Sequence, residues 1–493
     1  MFGTPLSISC SERVVAEMSG SIAQKHDLAA HPKRPWKPLP SEVLLLASVL
    51  LALFMAALEQ TIVAPALPAI GRTLDNAHLL PWVATSYLLA VTIASPLFGA
   101  LADSLGRRPS LYLALGLFLA GSLGAALAAH MPVLIAARIL QGAGAGGLVS
   151  LPFVVVADTV PIRERVRYGA LISTLFAIAS IGGPPVGGYI TEFLHWRLVF
   201  WINLPIGAIV LLVLILQPAA QQKLTPRRLD VISALLLSAT VASAILLIET
   251  ITVPEASKPT MAALAAILLL GVIGLTWRLR RASSPLVPLR VLTEPTIRRC
   301  AIAFVGLHGA NMGLTLFLPF YYQNQMGMTA SDSGLALLGF VGGVAVGAYV
   351  PARLLSRNPR YKPVMLTAAA IAFGGALATM GSLALDNAPL VVVELATIIM
   401  GLGLGGLYPT LMIVSQNAAG KSDIGATTGI LGFCRALGGV IGVALTGMVA
   451  TAIGLMGGPS LLPIWALAVV PGGLALLSLV ALITLPSRAL GDH

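Results

Sequence analysis

Charged residues are scarce in this chain of 493 residues, where Asp, Glu, Lys and Arg together make up 10%. An average soluble protein contains about 25%, and a water-soluble globule of this length could not cover its surface with so few charges. Cysteine is also rare: Cys10, Cys300 and Cys434 lie far apart and form no CxxC pair. These shortages exclude a soluble enzyme, a disulfide-stapled secreted domain and a cysteine metal site.

Apolar residues are abundant instead, at 57% of the chain, with a mean hydropathy of +0.92. Runs of about 20 apolar residues recur along the sequence, which is the length of a helix that crosses a bilayer. No segment shows the ten-residue alternation of a membrane barrel. The sequence therefore predicts an all-α polytopic membrane protein with fourteen transmembrane helices. The predicted spans are 43–67, 80–102, 110–129, 132–157, 168–190, 198–216, 230–249, 260–278, 299–322, 333–352, 362–384, 389–413, 424–452 and 461–485.

Basic residues are unevenly divided between the predicted loops. The chain has 30 Lys and Arg against 19 Asp and Glu, and 25 of the 30 fall on the side that carries both termini. Only Arg72, Arg197 and Lys258 fall on the other side, and two arginines lie inside spans. The positive-inside rule predicts that both termini are cytoplasmic. The net charge of +11 is thus a topology signal that favours contact with anionic membrane lipid, and no nucleic-acid partner is predicted.

Five segments are predicted along the chain. A cytoplasmic tail (1–42) precedes a six-helix bundle (43–216), a two-helix insertion with cytoplasmic linkers (217–298), a second six-helix bundle (299–485) and a short cytoplasmic tail (486–493). The first apolar run begins only at Val43, too late for a secretory signal.

A faint internal repeat supports the two bundles. The segment after span 2, Gly99–Arg108, resembles the segment after span 10, Gly347–Arg357, in its glycine and its arginines. Membrane transporters are often built from such repeats.

Two glycine strings, Gly142–Gly147 and Gly401–Gly406, have GxGxxG spacing. A dinucleotide site needs a preceding strand and a polar turn, whereas these strings lie inside apolar helices. Small residues let membrane helices approach closely. We therefore expect close packing of spans 4 and 12 against helices that slide past them.

Ionisable groups inside the spans are few, and each costs ~2.5–3.5 kcal/mol at the bilayer centre without a partner or a wet cavity. Glu59 in span 1 is the foremost proton carrier, because a carboxyl group out of water favours its protonated form and a nearby arginine favours the ionised form. Approach of Arg138, or of a cationic cargo, would then release the proton. The other reading makes Glu59 a structural partner of Arg138.

The remaining interior groups each have two readings. His308 is a hydrogen-bonded interior histidine or a proton site. Arg435 bonds the carbonyls of a neighbouring helix or serves as a relay. Glu394 is a second proton or cation site or has no role in coupling. Asn311 is a further polar group in span 9.

The segment Gly99–Arg108 resembles the G-x-L-a-D-r-x-G-r-k signature of the major facilitator superfamily, with Asp103 as its acid and Arg107 and Arg108 as its basic pair. Glu59 stands where the fourteen-span drug:proton antiporters of that superfamily usually have Asp. Five further segments resemble motifs of those antiporters in family order: Leu58–Pro68, Arg138–Gly142, Gly182–Gly188, Trp196–Gly207 and Arg435–Gly439.

The resemblance implies the major facilitator fold, with two six-helix bundles around a central cavity lined by spans 1, 4, 9 and 12. It implies export of lipophilic, often cationic compounds across the bacterial inner membrane, by alternating access and in exchange for protons. Proton coupling would involve Glu59, Arg138 and Glu394, and the cavity would present Glu59, His308, Asn311 and Glu394. The glycines near Asp103 would permit tight packing there, and a bend in span 5 would seal the cytoplasmic path. The gating set comprises Gly99, Asp103, Gly106, Arg107, Arg108, Gly183, Pro184, Pro185, Gly187, Gly188 and Arg435.

The expected partners are a small-molecule substrate, protons and lipid. We expect no cofactor, no metal and a monomeric transporter. Because the chain has no Walker lysine motif, we expect the proton gradient to supply the energy. Whether a periplasmic adaptor binds is left open. The alternative function is export of one metabolite, siderophore or lipid-like compound on the same fold. A membrane enzyme is disfavoured, because no GxSxG elbow or metal-spaced histidine cluster occurs.

Overall fold

The computed structural model describes residues 39–74, 79–160, 162–216, 231–251, 257–281, 289–357, 360–385, 388–419, 424–455, 460 and 462–486. The predicted tails 1–42 and 486–493 lie almost wholly outside this range. Within it, all regular elements are helices, which confirms the predicted all-α class.

The described chain forms sixteen α-helices. They are α1 (Pro40–Ile62), α2 (Leu67–Thr73), α3 (Leu80–Leu105), α4 (Arg107–Ala126), α5 (Met131–Thr159), α6 (Ile162–Phe193), α7 (Leu198–Trp201), α8 (Asn203–Leu216), α9 (Val231–Ile251), α10 (Lys258–Arg281), α11 (Pro295–Asn324), α12 (Ala330–Arg357), α13 (Tyr361–Leu383), α14 (Leu390–Ala418), α15 (Ile424–Ala452) and α16 (Val469–Ile483). Short 3-10 helices cover Ala64–Ala66, Leu289–Thr293 and Ile464–Ala468.

Twelve helical segments of the described chain are long and apolar enough to cross a membrane. The chain is therefore a multi-pass membrane protein. Predicted spans 5 and 7 form the helices α6 and α9, of 32 and 21 residues, but they are not among the twelve. The count of fourteen spans stays a prediction.

Predicted span 1 is not one continuous α-helix. Helix α1 ends at Ile62, a 3-10 turn covers Ala64–Ala66, and α2 begins at Leu67. Pro65 and Pro68 lie at the start of the second and third of these elements, where a missing N–H is tolerated. The prolines therefore divide the predicted span into three pieces.

The glycine string of α5 packs closely against two neighbours. A Cβ atom at Gly146 would lie 2.8 Å from the backbone nitrogen of Ser95 on α3, and one at Gly144 would lie 2.5 Å from the carbonyl oxygen of Ala114 on α4. Both distances are below van der Waals contact. The prediction that this string serves close helix packing is confirmed.

The second glycine string repeats the arrangement in the other half. A Cβ atom at Gly401 would meet the backbone of Phe340 and Val344 on α12, and one at Gly403 would meet the backbone of Ala372 on α13. Each string thus lies on a helix that packs between two partners, spans 2 and 3 in one half and spans 10 and 11 in the other.

The two halves meet at one end of the bundle, which we call the joined end. Gln323 on α11 donates hydrogen bonds to the carbonyl oxygen of Pro65 (3.0 Å) and to Oγ of Ser333 (2.9 Å). The backbone N–H of Ser331 donates to Oε2 of Glu192 at the end of α6 (2.8 Å). The joined end lies opposite the end at which α1 begins, so it is the outer end if the termini are cytoplasmic as predicted.

The predicted insertion 217–298 contributes α9 and α10, which pack against each other. Helix α9 also contacts α3 of the first half and α15 of the second.

Candidate functional site

The first polar site is an ion pair inside the first half. Glu59 lies in the last turn of α1, and Arg138 is the eighth residue of α5. Arg138 Nη1 donates a hydrogen bond to Glu59 Oε1. Glu59 is 1% exposed and Arg138 2%. This contact matches the reading that makes Glu59 a structural partner of Arg138, and its role as a proton carrier stays a prediction.

Arg138 has further partners of its own. Its Nη1 also donates to Oε1 of Gln141 (2.6 Å), and its Nε donates to the carbonyl oxygen of Val83 (3.0 Å). The guanidinium carbon lies 4.1 Å from the ring centroid of Tyr87, which is within cation–π distance. Two helices and an aromatic face therefore hold this arginine in one orientation.

The second carboxylate oxygen of Glu59 is bonded from another direction. Asn203 Nδ2, at the start of α8, donates to Glu59 Oε2 (2.7 Å) and to Oγ of Ser122 (2.8 Å). Gln141 Nε2 donates to the same Ser122 oxygen (3.1 Å), whose hydroxyl donates to the carbonyl oxygen of Phe200 (2.9 Å). The pair is thus the centre of a closed network, as a buried ion pair requires.

Sequence reasoning did not assign Gln141, Asn203 or Ser122 to this site. Gln141 and Asn203 lie in segments that carry the family resemblance, and each is a large polar residue in an apolar helix, so a signal for them existed. Ser122 has no such signal, because a serine is common in membrane helices and often bonds its own backbone.

A small cavity lies beside the pair. Tyr87, Arg138 and Leu316 are among the residues that line it, and its water-accessible volume is about 10 Å³. That is near the lower limit for one water molecule. Leu316 belongs to α11, so the cavity lies between the two halves.

A second polar cluster lies in the other half. His308 Nδ1 on α11 is 2.6 Å from Oη of Tyr408 on α14, and their rings are edge-to-face. This confirms His308 as a hydrogen-bonded interior histidine.

Arg435 on α15 belongs to the same cluster. Its guanidinium carbon lies 5.6 Å from the ring centroid of Phe176, which is on α6 of the first half. No described residue accepts a hydrogen bond from Arg435. The described residues therefore show none of the carbonyl bonds that one reading of Arg435 requires, and its role stays a prediction.

Glu394 lies apart from both clusters. It is the fifth residue of α14, and its Oε1 accepts a hydrogen bond from the hydroxyl of Tyr322 (2.7 Å), two residues before the end of α11. Its other oxygen lies over Gly339 of α12, where a side chain would overlap it. Glu394 therefore lies near the joined end and has no described cation as a partner.

Asn311 is 8% exposed, and its side-chain amide makes no hydrogen bond to any described residue. It lies one turn from His308 on α11. Its predicted place in the substrate cavity stays a prediction.

The signature after span 2 is helical on both sides of a single break. Gly106 has φ +97°, which glycine adopts readily and other residues rarely do, and α4 begins at Arg107. Arg108 Nη2 donates to the carbonyl oxygen of Leu214 (3.4 Å). The side chain of Asp103 lies outside the described residues. The prediction of tight packing at Gly99 is wrong, because a Cβ atom added there would have no described atom within 4 Å.

The span-5 motif lies at the joined end. Side chains at Gly183 and Gly187 would overlap Thr61 and Ile62 at the end of α1, and the backbone of Pro184 faces Gly334 near the start of α12. The motif therefore lies at the end of the bundle opposite the start of α1, and its role in sealing the cytoplasmic path stays a prediction. Pro184 and Pro185 lie within the continuous helix α6.

In the described part of the chain no three His, Cys, Asp or Glu side chains cluster as metal ligands would.

Known proteins support the assignment of a transport fold. The profile of the Major Facilitator Superfamily matches residues 49–443. The multidrug transporter protein MdtP of Bacillus subtilis is 30% identical over 415 residues, covering 83% of this chain and 75% of the relative. The MFS-type efflux transporter ffsH of Aspergillus flavipes is 32% identical over 409 residues, covering 79% and 68%.

Solved structures show the same fold. The crystal structure of a D-xylose–proton symporter superposes with a TM-score of 0.65 at 14% identity, covering 90% of this chain and 98% of the other.

Proposed function

Because this chain belongs to the major facilitator superfamily, we propose that it is a proton-coupled efflux transporter. It exports lipophilic compounds across the bacterial cytoplasmic membrane, with both termini in the cytoplasm, by alternating access between its two halves. The printed names of two relatives, a multidrug transporter and an efflux transporter, support export. The family resemblance adds that such cargo is often cationic.

The observation that carries proton coupling is the enclosed carboxylate of Glu59. Its two oxygens are bonded to Arg138 and Asn203 in the present state. Protonation of Glu59 would remove the negative charge that pairs with the guanidinium of Arg138. The arginine side chain would then turn towards the cavity between the halves. Loss of the proton would restore the pair. The proton therefore decides whether the arginine faces its partner or the cavity, and cargo bound there responds to that charge.

Glu394 is the second proposed proton site. Its partner is the neutral hydroxyl of Tyr322, so it can gain or lose a proton without breaking an ion pair. It lies near the joined end, where protons enter in our scheme when that end opens.

Alternating access requires the joined end to separate. The hydrogen bonds of Gln323 and Ser331 across the halves must break for the outward-open state and form again afterwards. The state described here has them formed, so it is the state in which cargo enters from the other side.

The proton gradient is a sufficient energy source. One proton crossing ~100 mV releases ~2.3 kcal/mol, which sustains roughly a fifty-fold gradient of a neutral solute at 1.36 kcal/mol per decade.

Inverted membrane vesicles test the proposal. Respiration acidifies their interior, and uptake of ethidium is followed by fluorescence with and without the ionophore nigericin. We expect uptake that collapses with nigericin, is lost in Glu59→Gln, and is largely kept in Glu59→Asp, which retains the carboxyl group.

Three results would count against this scheme. Uptake that survives collapse of the gradient removes proton coupling, and full uptake by Glu59→Gln removes Glu59 from the mechanism. Failure of ethidium and of every other compound in a resistance panel, together with export of one metabolite, siderophore or lipid-like compound, favours the alternative function.

A further inference from the structure

The two interior arginines of this chain differ in their hydrogen-bond partners. Arg138 donates hydrogen bonds to Glu59, Gln141 and the backbone of Val83. Arg435 donates to no described residue, and no described carboxylate lies within ion-pair distance of it. Arginine is always charged in proteins, and a buried charge needs a partner. Arg435 therefore lacks the partner that its position demands.

Arg435 lies where a diffusible partner could reach it. It is eleven residues into α15, about 16 Å along the helix axis, so it is deep in the bundle. Its contact with Phe176 on α6 places it at the interface between the halves. The residue as a whole is only partly buried.

The neighbouring pair adds a hydrogen-bond donor. His308 Nδ1 and Tyr408 Oη share one hydrogen bond, and both lie within electrostatic range of Arg435. A neutral histidine and a tyrosine carry one N–H and one O–H, and their mutual bond uses one of the two. Whichever tautomer is present, one donor of the pair is left over.

Helix α15 passes close to this pair. Gly439 is one turn beyond Arg435 on α15, and a Cβ there would lie 3.0 Å from Cδ2 and 3.4 Å from Nε2 of His308. Glycine at this position lets α15 pack directly against the histidine one turn from Arg435, and His308 is itself only partly buried.

The acidic groups of the described interior do not neutralise this charge. Glu59 is bonded to Arg138, and Glu394 is bonded to Tyr322 near the joined end. The interface at the depth of Arg435 is therefore positively charged and lined by aromatic rings.

We propose that Arg435, Tyr408 and His308 form a recognition site for the carboxylate of a lipophilic organic acid. The planar guanidinium matches a carboxylate in a two-point contact. The left-over donor of the His308–Tyr408 pair bonds one of its oxygens, and the apolar body packs against Phe176, which is only partly buried. This inference rests on the proposed function in taking the bound compound as cargo. It departs from the cationic cargo that the family resemblance implies.

Equilibrium binding to the full chain in lipid nanodiscs tests the site. The probes are dansyl-undecanoate, its methyl ester and the matching trimethylammonium compound, which share one fluorescent body. We expect the carboxylate to bind at least about tenfold more tightly than the ester, because hydrogen bonds to charged groups contribute that much. Arg435→Gln should abolish this preference and leave ester binding unchanged. Arg72→Gln, which removes an exposed positive charge, is the matched control and should keep the preference.

The proposal is overturned if the native chain binds acid and ester equally, if the ammonium compound binds most tightly, or if Arg435→Gln weakens acid and ester alike. If Arg435→Gln does not fold, the native preference and Tyr408→Phe decide, since that variant removes only a hydroxyl and should lower the preference several-fold.

These binding measurements use no gradient, so their failure is distinct from failure of proton-coupled export. Glu59→Gln, which should lose transport, should keep the preference for the acid.

Discussion

Arg138 and Glu59 are bonded to each other in the interior of the first half, and neither side chain is more than 2% exposed. Both charges are removed from water and lipid at once, so each depends on the other. Gln141 accepts a hydrogen bond from Arg138, and Asn203 donates one to Glu59. Both amides also donate to Ser122, which links the two ends of the pair.

Removing one partner of this pair should destabilise the chain strongly. Arg138→Gln leaves the carboxylate without its cation, and Glu59→Gln leaves the guanidinium without its anion. We expect each single variant to lose ~3–5 kcal/mol, as for other buried pairs broken from one side. The double variant should lose less than the sum, because no uncompensated charge remains. Thermal unfolding of the purified chain in detergent measures the three variants.

Arg72→Gln, which changes an exposed arginine, is the control for these variants and should unfold at the same temperature as the native chain. Additive losses in the double variant would mean that the two side chains do not stabilise each other.

Helix packing at the glycine string of α5 should be sensitive to a single methyl group. Gly144→Ala places a Cβ against the backbone of Ala114 and Phe118, so we expect a loss of ~1–3 kcal/mol from overpacking. Gly116→Ala on the facing helix α4 is the matched control, because no described atom lies within 4 Å of its Cβ position. It should be neutral or stabilising, since alanine favours helix. Thermal unfolding compares them, and equal effects would contradict the packing argument.

The joined end should loosen when Gln323 loses its amide. Gln323→Ala removes two hydrogen bonds, to Pro65 and Ser333, each worth ~0.5–1.5 kcal/mol. The state with this end open should therefore gain population. Hydrogen–deuterium exchange in nanodiscs should become faster in residues 183–193 and 325–335.

Gln325→Ala is the control for this experiment, because Gln325 is exposed and makes no side-chain hydrogen bond to described residues. Unchanged exchange in Gln323→Ala would show that these bonds do not hold the end closed.

The predicted count of fourteen spans makes a topological prediction about α10. Its first residues should lie outside the cell and its last residues in the cytoplasm. In a cysteine-depleted chain, Ser257→Cys should react with a membrane-impermeant maleimide in intact cells, whereas Arg281→Cys should react only after permeabilisation. Labelling of both, or of neither, from outside would mean that α10 does not cross the membrane as predicted.

Several features of the fold could be read from local sequence. The apolar runs predict most of the helices that are found, because the length of an apolar run is itself the physical requirement for crossing a bilayer. Predicted span 6 is divided between α7 and α8, and α16 begins eight residues after the predicted start of span 14. The glycine strings also predict close packing from local sequence, because small residues let helices approach closely. The break at Pro65 is also local, and it was missed because the apolar run continues through it.

The site was predictable only in part. Glu59 and Arg138 stand out because charge is rare in apolar helices, yet the sequence left open whether they meet. No sequence pattern marks Ser122 as part of the site. The sequence also could not show that Arg435 has no described hydrogen-bond acceptor, because that depends on how all the helices pack around it.

The amino-acid sequence by itself determined that this chain crosses a membrane many times as helices and which few polar groups lie inside, because both depend on residues close together in the chain. Only the tertiary structure decided which of those groups meet. Glu59 and Arg138 are separated by 79 positions and Glu59 and Asn203 by 144, so their contact depends on how each helix is rotated and packed. The same packing carries the span-5 motif to the joined end and leaves Arg435 facing the gap between the halves.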